Sequence, residues 1–214
     1  MAISAKQKQK KLEKKSKKRK LSKKSLGKEF QFKNSASDYA RYPIHECFVP
    51  SDLFETGLGY VIVTRRTPDR TIAISAFVVD VYCLGVKNAL FKISDESEYE
   101  QSIKPGLMRS NEGKQFENIH STCARKLIEG AVSYAKELGF SPHRDYKDAK
   151  GIFGEIDIES CPVKYTYGKD DEPFYIRGPN ESINQVKKIV NQLSKKCGEG
   201  NFHYLAMLDE DIVE

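Results

Sequence analysis

The run Ile72-Ala73-Ile74-Ser75-Ala76-Phe77-Val78-Val79-Asp80-Val81-Tyr82 decides the fold class. A strand with one wet face alternates apolar and polar residues, because successive side chains point to opposite sides. This run is apolar on both parities, which predicts a central strand covered on both faces. Residues 59–66 form a second run rich in β-branched residues, and Thr67-Pro68-Asp69-Arg70 separates the two. Proline followed by Asp between such runs is turn chemistry and predicts a hairpin.

Helical periodicity takes over further along. In residues 120–138, Ala124, Leu127, Ile128, Ala131, Ala135 and Leu138 share one face, and Gly139 follows. That spacing predicts a long amphipathic helix with Ser121 or Thr122 as its cap. A second helix is expected over 182–196, with Ile183, Val186, Val190 and Leu193 on its core face and Gly198 past its end. Alternation predicts a strand over 152–158, a second hairpin from 164–167 and 173–176 around Gly168-Lys169-Asp170-Asp171, and a last strand over 202–208. Residues 94–118 carry Pro105, Gly106 and Gly113 and read as a functional flap or as a loop hiding a short helix over 95–102. The result is an α+β domain: a mixed or antiparallel sheet with two main helices packed on it.

Ahead of this body lies a segment of different composition. Residues 1–28 hold 13 Lys or Arg and one acid, Glu13, a balance of +12. The remaining 186 residues hold 23 basic and 29 acidic side chains, a balance of −6, so the whole-chain +6 describes neither part. Without aromatics or proline, residues 1–28 cannot offset their ordering entropy alone, and they are expected to be disordered or conditionally helical. The organisation expected is a basic tail over 1–28, a linker over 29–42 and one α+β domain over 43–214.

The tail carries the strongest functional signal. Lys10, Lys11, Lys14, Lys15, Lys17, Lys18, Arg19, Lys20, Lys23 and Lys24 suit a phosphate backbone, and each phosphate neutralised releases counterions. With 6–10 such contacts, affinity falls by roughly 10³–10⁵ between 50 and 200 mM salt. No aromatic is present for stacking, so the arm anchors without reading sequence. RNA is favoured over DNA, with a ribonucleoprotein or a protein as the partner of the body. An import signal, an anionic-membrane contact and a solubility tail are the plainer readings. The acidic residues Asp95, Glu96, Glu98 and Glu100 offer an intramolecular resting place for the arm.

The second signal is carboxylates on strands. Asp80 interrupts an apolar strand, and an unpaired buried carboxylate is costly, so it needs a strand end, a cation such as Lys87 or Arg65, or a metal. Glu155, Asp157 and Glu159 recur at every second position and would leave one face of a strand, or simply form its wet side. Asp80, Glu155 and Asp157 together would suit a divalent cation, Mg²⁺ or Mn²⁺, and phosphodiester hydrolysis. Further catalytic candidates are Lys87, His120, Cys123 and His143. Cys123 would sit in the first turn of a helix, where the macrodipole favours a thiolate, beside His120; the plain reading is packing against Leu127. Cys83 reads as a buried strand cysteine.

The five cysteines, Cys47, Cys83, Cys123, Cys161 and Cys197, are odd in number and dispersed. They read as reduced thiols of a cytoplasmic protein, or a nuclear one in a eukaryote. No apolar run approaches the ~20 residues that span a bilayer, and the N-terminus lacks the apolar core of a secretory signal. Gly57-Leu58-Gly59 precedes a strand and lacks a third glycine, so it is no nucleotide cradle. The function expected is nucleic-acid binding, with a metal-dependent nuclease or phosphohydrolase as the alternative.

Overall fold

Residue pairing across the sheet accounts for the apolar run. In a computed structural model, which describes residues 34–109 and 115–206, it forms β3 (Thr71–Asp80). The candidate phosphate-binding residues between Lys10 and Lys24 lie outside the described residues. β3 lies between β2 (Leu58–Arg66) and β4 (Gly85–Asp95). With β1 (Ile44–Pro50) and β5 (Phe116–Asn118) they make one antiparallel sheet in the order β4-β3-β2-β1-β5. The expected β2–β3 hairpin is present, with Arg66 opposite Ile72 beside the turn.

Both faces of β3 are covered, as its composition requires. On one face Ala73, Phe77 and Val79 meet Ala124, Leu127, Ile128 and Ala131 of α1 (Ser121–Glu137), together with Tyr146, Ala149 and Ile152. On the other, Ile72, Ile74 and Ala76 pack with Tyr99, Ile103 and Leu107. Full burial of each large side chain contributes roughly 1.5–3 kcal/mol. The second cover is a helical stretch: Glu96–Glu98, a π turn at Tyr99–Ile103, and Lys104–Arg109. Its cap is Asp95, whose carboxylate accepts from Glu98 N–H at 2.9 Å. The expected short helix over 95–102 is therefore part of a longer one.

The second long helix, α2 (Ile183–Cys197), starts on a capping box. Ser182 Oγ accepts from Gln185 N–H at 3.3 Å, and Gln185 Oε1 accepts from Ser182 N–H at 2.8 Å. Val186 and Leu193 bury against Tyr175, Cys83 and Leu138 in a separate cluster. Beside it β6 (Phe174–Ile176) pairs in parallel with β7 (His203–Leu205).

Several sequence expectations are corrected. Residues 154–167 contain no helix or strand, so the expected strand over 152–158 is absent. Side chains of α1 hold that backbone instead. Arg125 donates to the carbonyls of Gly154 (3.0 Å) and Ile156 (2.7 Å), and Lys126 donates to Cys161 O (2.9 Å). These bonds satisfy the carbonyls without a ladder, so alternation there reflects docking on a helix. The second hairpin reduces to one pair, Lys169 with Glu172, because 174–176 pairs with 203–205 instead.

Three strands went unread, among them β5, which lies in the stretch expected to be a flap or loop. β1 includes His45, Glu46 and Pro50, and β4 is an edge strand whose Asn88, Lys92 and Asp95 are exposed, which hides its period. Ahead of β1, Ala36–Tyr39 forms a short helix with Ala36 fully buried in the main core. No helix among the described residues is long and apolar enough to cross a membrane.

Candidate functional site at the end of the central strand

Asp80 closes β3, opposite Leu58 of β2 and Gly85 of β4. Its side chain is 5% exposed. Oδ1 accepts the N–H groups of Tyr82 (3.0 Å) and Cys83 (2.9 Å), so the carboxylate closes the turn into β4. Burial pushes its pKa up to about 6, against the opposing pull of the Lys87 cation and the N–H groups of Cys83, Tyr82 and Leu84. Desolvation outweighs the partners here.

Lys87 reaches this site through an irregularity. The β3–β4 register shifts at Val78/Val79, with Val79 opposite Val86 and Val78 opposite Asn88, leaving Lys87 as the extra residue. Bulges of this kind re-aim side chains. Lys87 Nζ lies 2.7 Å from Glu181 Oε1, with the two side chains 17% and 16% exposed. Glu181 is held from three more directions. Its Oε2 accepts from Tyr175 O–H (2.6 Å) and Gly178 N–H (3.0 Å), and its main-chain carbonyl accepts from Arg177 Nε (3.1 Å). Burial alone would raise the Glu181 carboxyl, but Lys87, Tyr175 and Gly178 together hold it below its ordinary value.

Around this group opens a cleft of about 690 Å³. Its floor is the sheet face beyond the Glu96–Arg109 cover, with Leu58, Tyr60, Val78 and Asn88; Phe174, Ile176 and the turn at 177–181 make the opposite wall. Gly57 has φ +78°, and a Cβ there would stand 2.1 Å from the Tyr82 ring, so only glycine lets that ring form the rim. Tyr82 O–H donates to Phe54 O (2.8 Å) and Glu55 O (2.7 Å), which fixes the ring.

Of the sequence candidates, the structure brings Asp80 and Lys87 together in this cleft. Arg65, the other cation considered for Asp80, is elsewhere: it is buried and donates to the carbonyls of Ile152, Phe153 and Tyr42. Among the described residues, the set of three His, Cys, Asp or Glu side chains with ligand atoms within 4.8 Å of one another is His45, Glu46 and Glu100. Asp80, Glu155 and Asp157 form no such set. Glu155 and Asp157 are exposed, and Asp157 accepts from Glu159 N–H (3.0 Å) and Ser160 O–H (2.7 Å), closing its own turn.

His45, Glu46 and Glu100, which the sequence did not mark as a set, already have a cation. Lys104 Nζ stands 2.8 Å from Glu46 Oε2 and 3.5 Å from Glu100 Oε2. The acidic stretch considered as a resting place for the arm is likewise compensated. Glu96 pairs with Arg66 (2.9 Å) and Arg70 (2.8 Å), and Glu98 with Lys92 (2.9 Å).

The thiol candidates are corrected. Cys123 and Cys161 form a disulfide, with Cα atoms 5.1 Å apart, so neither is a free nucleophile and the five cysteines are not all reduced. Dispersed spacing hid the pair, because residues 154–167 fold back along α1. Cys83 is fully buried, as expected, and burial drives its thiol pKa far up. His120 is itself the cap of α1, a role expected of Ser121 or Thr122. Its Nδ1 lies 2.8 Å from Thr122 Oγ1 and accepts from Thr122 N–H at 3.4 Å. His143 Nδ1 sits 3.6 Å from Asp145 Oδ2 at the start of the Tyr146–Ala149 turn.

Glu181 and Arg177 complete the cleft, with the buried Tyr175 holding Glu181 from behind, and none of the three was singled out in the sequence. The visible signal was Gly178-Pro179-Asn180 ahead of Ser182-x-x-Gln185, a turn delivered to a capping box. No protein-family model matches the chain, and no curated protein and no solved structure matches it.

Proposed function

We propose that the protein is a nucleic-acid-associated binding protein, acting on RNA or a ribonucleoprotein, whose basic N-terminal arm anchors to phosphates. The observation that carries this reading is the charge segregation, +12 on residues 1–28 against −6 on the rest. Such an arm supplies sequence-independent, salt-sensitive affinity. The body supports a binding role over turnover, because the ionisable groups of its cleft are engaged. Asp80 holds backbone N–H groups, and Lys87 and Glu181 hold each other. A cytoplasmic or nuclear location belongs to the same proposal.

Deleting residues 1–28 tests it. The truncated protein is expected to keep its thermal transition while losing salt-dependent binding to RNA in a fluorescence-anisotropy titration. Equal affinity of the truncated and full-length chains would refute the proposal.

A further inference from the structure

We infer that the solvent face of α2 is a second RNA-contact surface, docking the phosphate backbone of an RNA strand against the body once the arm has anchored it. This rests on the RNA-binding reading above. The helix holds four lysines and no acidic residue. Val186, Ile189, Val190 and Leu193 pack inward on the cluster around Tyr175 and Cys83. At 3.6 residues per turn, Asn184, Lys187, Lys188, Asn191 and Lys195 then fall on the opposite side, and all five are exposed.

A helix face that only meets water is usually supported by acid–base pairs three or four residues apart. Here those positions hold amides: Asn184 and Asn191 flank Lys187, while Asn184 and Gln192 flank Lys188. Lys195 in the last turn suits the helix dipole, whereas Lys187 and Lys188, in the second turn, gain nothing from it. Among the described residues no ion pair compensates any of these lysines. Glu181 just ahead of the helix is held by Lys87, which leaves Glu199 past its end as the nearby acid in sequence.

This face is thus cationic on a body that is net acidic. From Lys187 to Lys195 it spans about 12 Å along the axis. That is long enough to face neighbouring phosphates of one strand, whose charges recur every ~3.4 Å of axis in a DNA duplex. Charge complementarity names a polyanion as its occupant. The interleaved carboxamides both donate and accept, as a 2′-hydroxyl requires, and this favours RNA.

The test uses the full-length chain with Lys187, Lys188 and Lys195 changed together to Gln, against a fluorescent 20-nucleotide oligouridylate and the DNA of the same length. Three lost phosphate contacts are expected to lower the slope of log Kd against log salt by about 2, and to weaken RNA binding roughly 10- to 100-fold at 100 mM salt. A control with Arg144, Lys147 and Lys164 changed to Gln makes the same charge change on other exposed positions and is expected to lower the slope far less. An unchanged slope in the α2 variant, while the wild-type chain binds, overturns this inference and leaves the arm's role intact. An equal loss in the control overturns it as well. Asn184 and Asn191 changed together to Ala are expected to weaken RNA binding more than DNA binding, and an equal effect on both overturns the RNA assignment. Failure of the wild-type chain to bind either strand overturns the arm's role itself.

Discussion

Lys87 and Glu181 meet at 2.7 Å and join the bulge of the edge strand β4 to the turn that launches α2. The pair is mostly buried, and Glu181 also takes the protons of Tyr175 O–H and Gly178 N–H. Removing one member of such a pair strands the other charge, at up to 3–5 kcal/mol when burial is complete. Glu181→Ala is expected to destabilise by about 3 kcal/mol in urea denaturation, because three donors lose an acceptor. Lys87→Met should cost less, about 1–2 kcal/mol, since Tyr175 and Gly178 still satisfy the carboxylate. Equal costs for the two variants would show that the Tyr175 and Gly178 bonds add nothing.

Asp80 makes stability depend on pH in a defined direction. Its folded pKa of about 6 lies above the ordinary 3.8. Between those values the folded protein holds a proton that the unfolded chain has released, so stability falls as pH rises through roughly 4 to 6. Asp80→Asn retains an oxygen to accept the Tyr82 and Cys83 N–H groups and removes the ionisation. The stability of the variant relative to wild type is expected to rise between pH 4 and pH 8, by at most about 3 kcal/mol. Parallel stability–pH curves for variant and wild type would contradict the assignment.

The Cys123–Cys161 bond closes a loop with a sequence separation of 38. Chain-entropy reasoning assigns such a loop roughly 4 kcal/mol. Protein denatured without reductant should titrate as three free thiols, Cys47, Cys83 and Cys197. Reductant should raise the count to five and lower the unfolding midpoint. Five thiols before reduction would mean that the bond is absent, in keeping with a reducing compartment.

Asp170 and Asp171 hold φ of 54° and 65° between Lys169 and Glu172, which exchange two backbone hydrogen bonds at 2.8 and 3.0 Å. Two consecutive residues with positive φ are what a type I′ turn requires, and glycine meets that demand more readily than Asp. Asp171→Gly is expected to raise stability by about 0.5–1 kcal/mol, read as a shift in melting temperature. A lowered melting temperature would show that the aspartate side chain holds the turn.

Local pattern was enough for the elements whose surroundings repeat along the chain. The double-sided apolar run of β3, the 67–70 turn and the stripes of α1 and α2 were legible, because burial on a regular element leaves a period in the sequence. Charge segregation between residues 1–28 and the rest is likewise a property of the sequence alone.

Tertiary structure decided what depends on partners distant along the chain. The antiparallel order of the sheet placed β4 at an edge, where exposure removed its period, and docking on α1 replaced the strand expected over 152–158. The same fold-back joined Cys123 to Cys161, and a one-residue bulge turned Lys87 toward a glutamate 94 positions away. Asp80 stood out in the sequence as an acid inside an apolar strand. Only the packed structure supplied its role, because the N–H groups that hold it become available when β3 turns into β4.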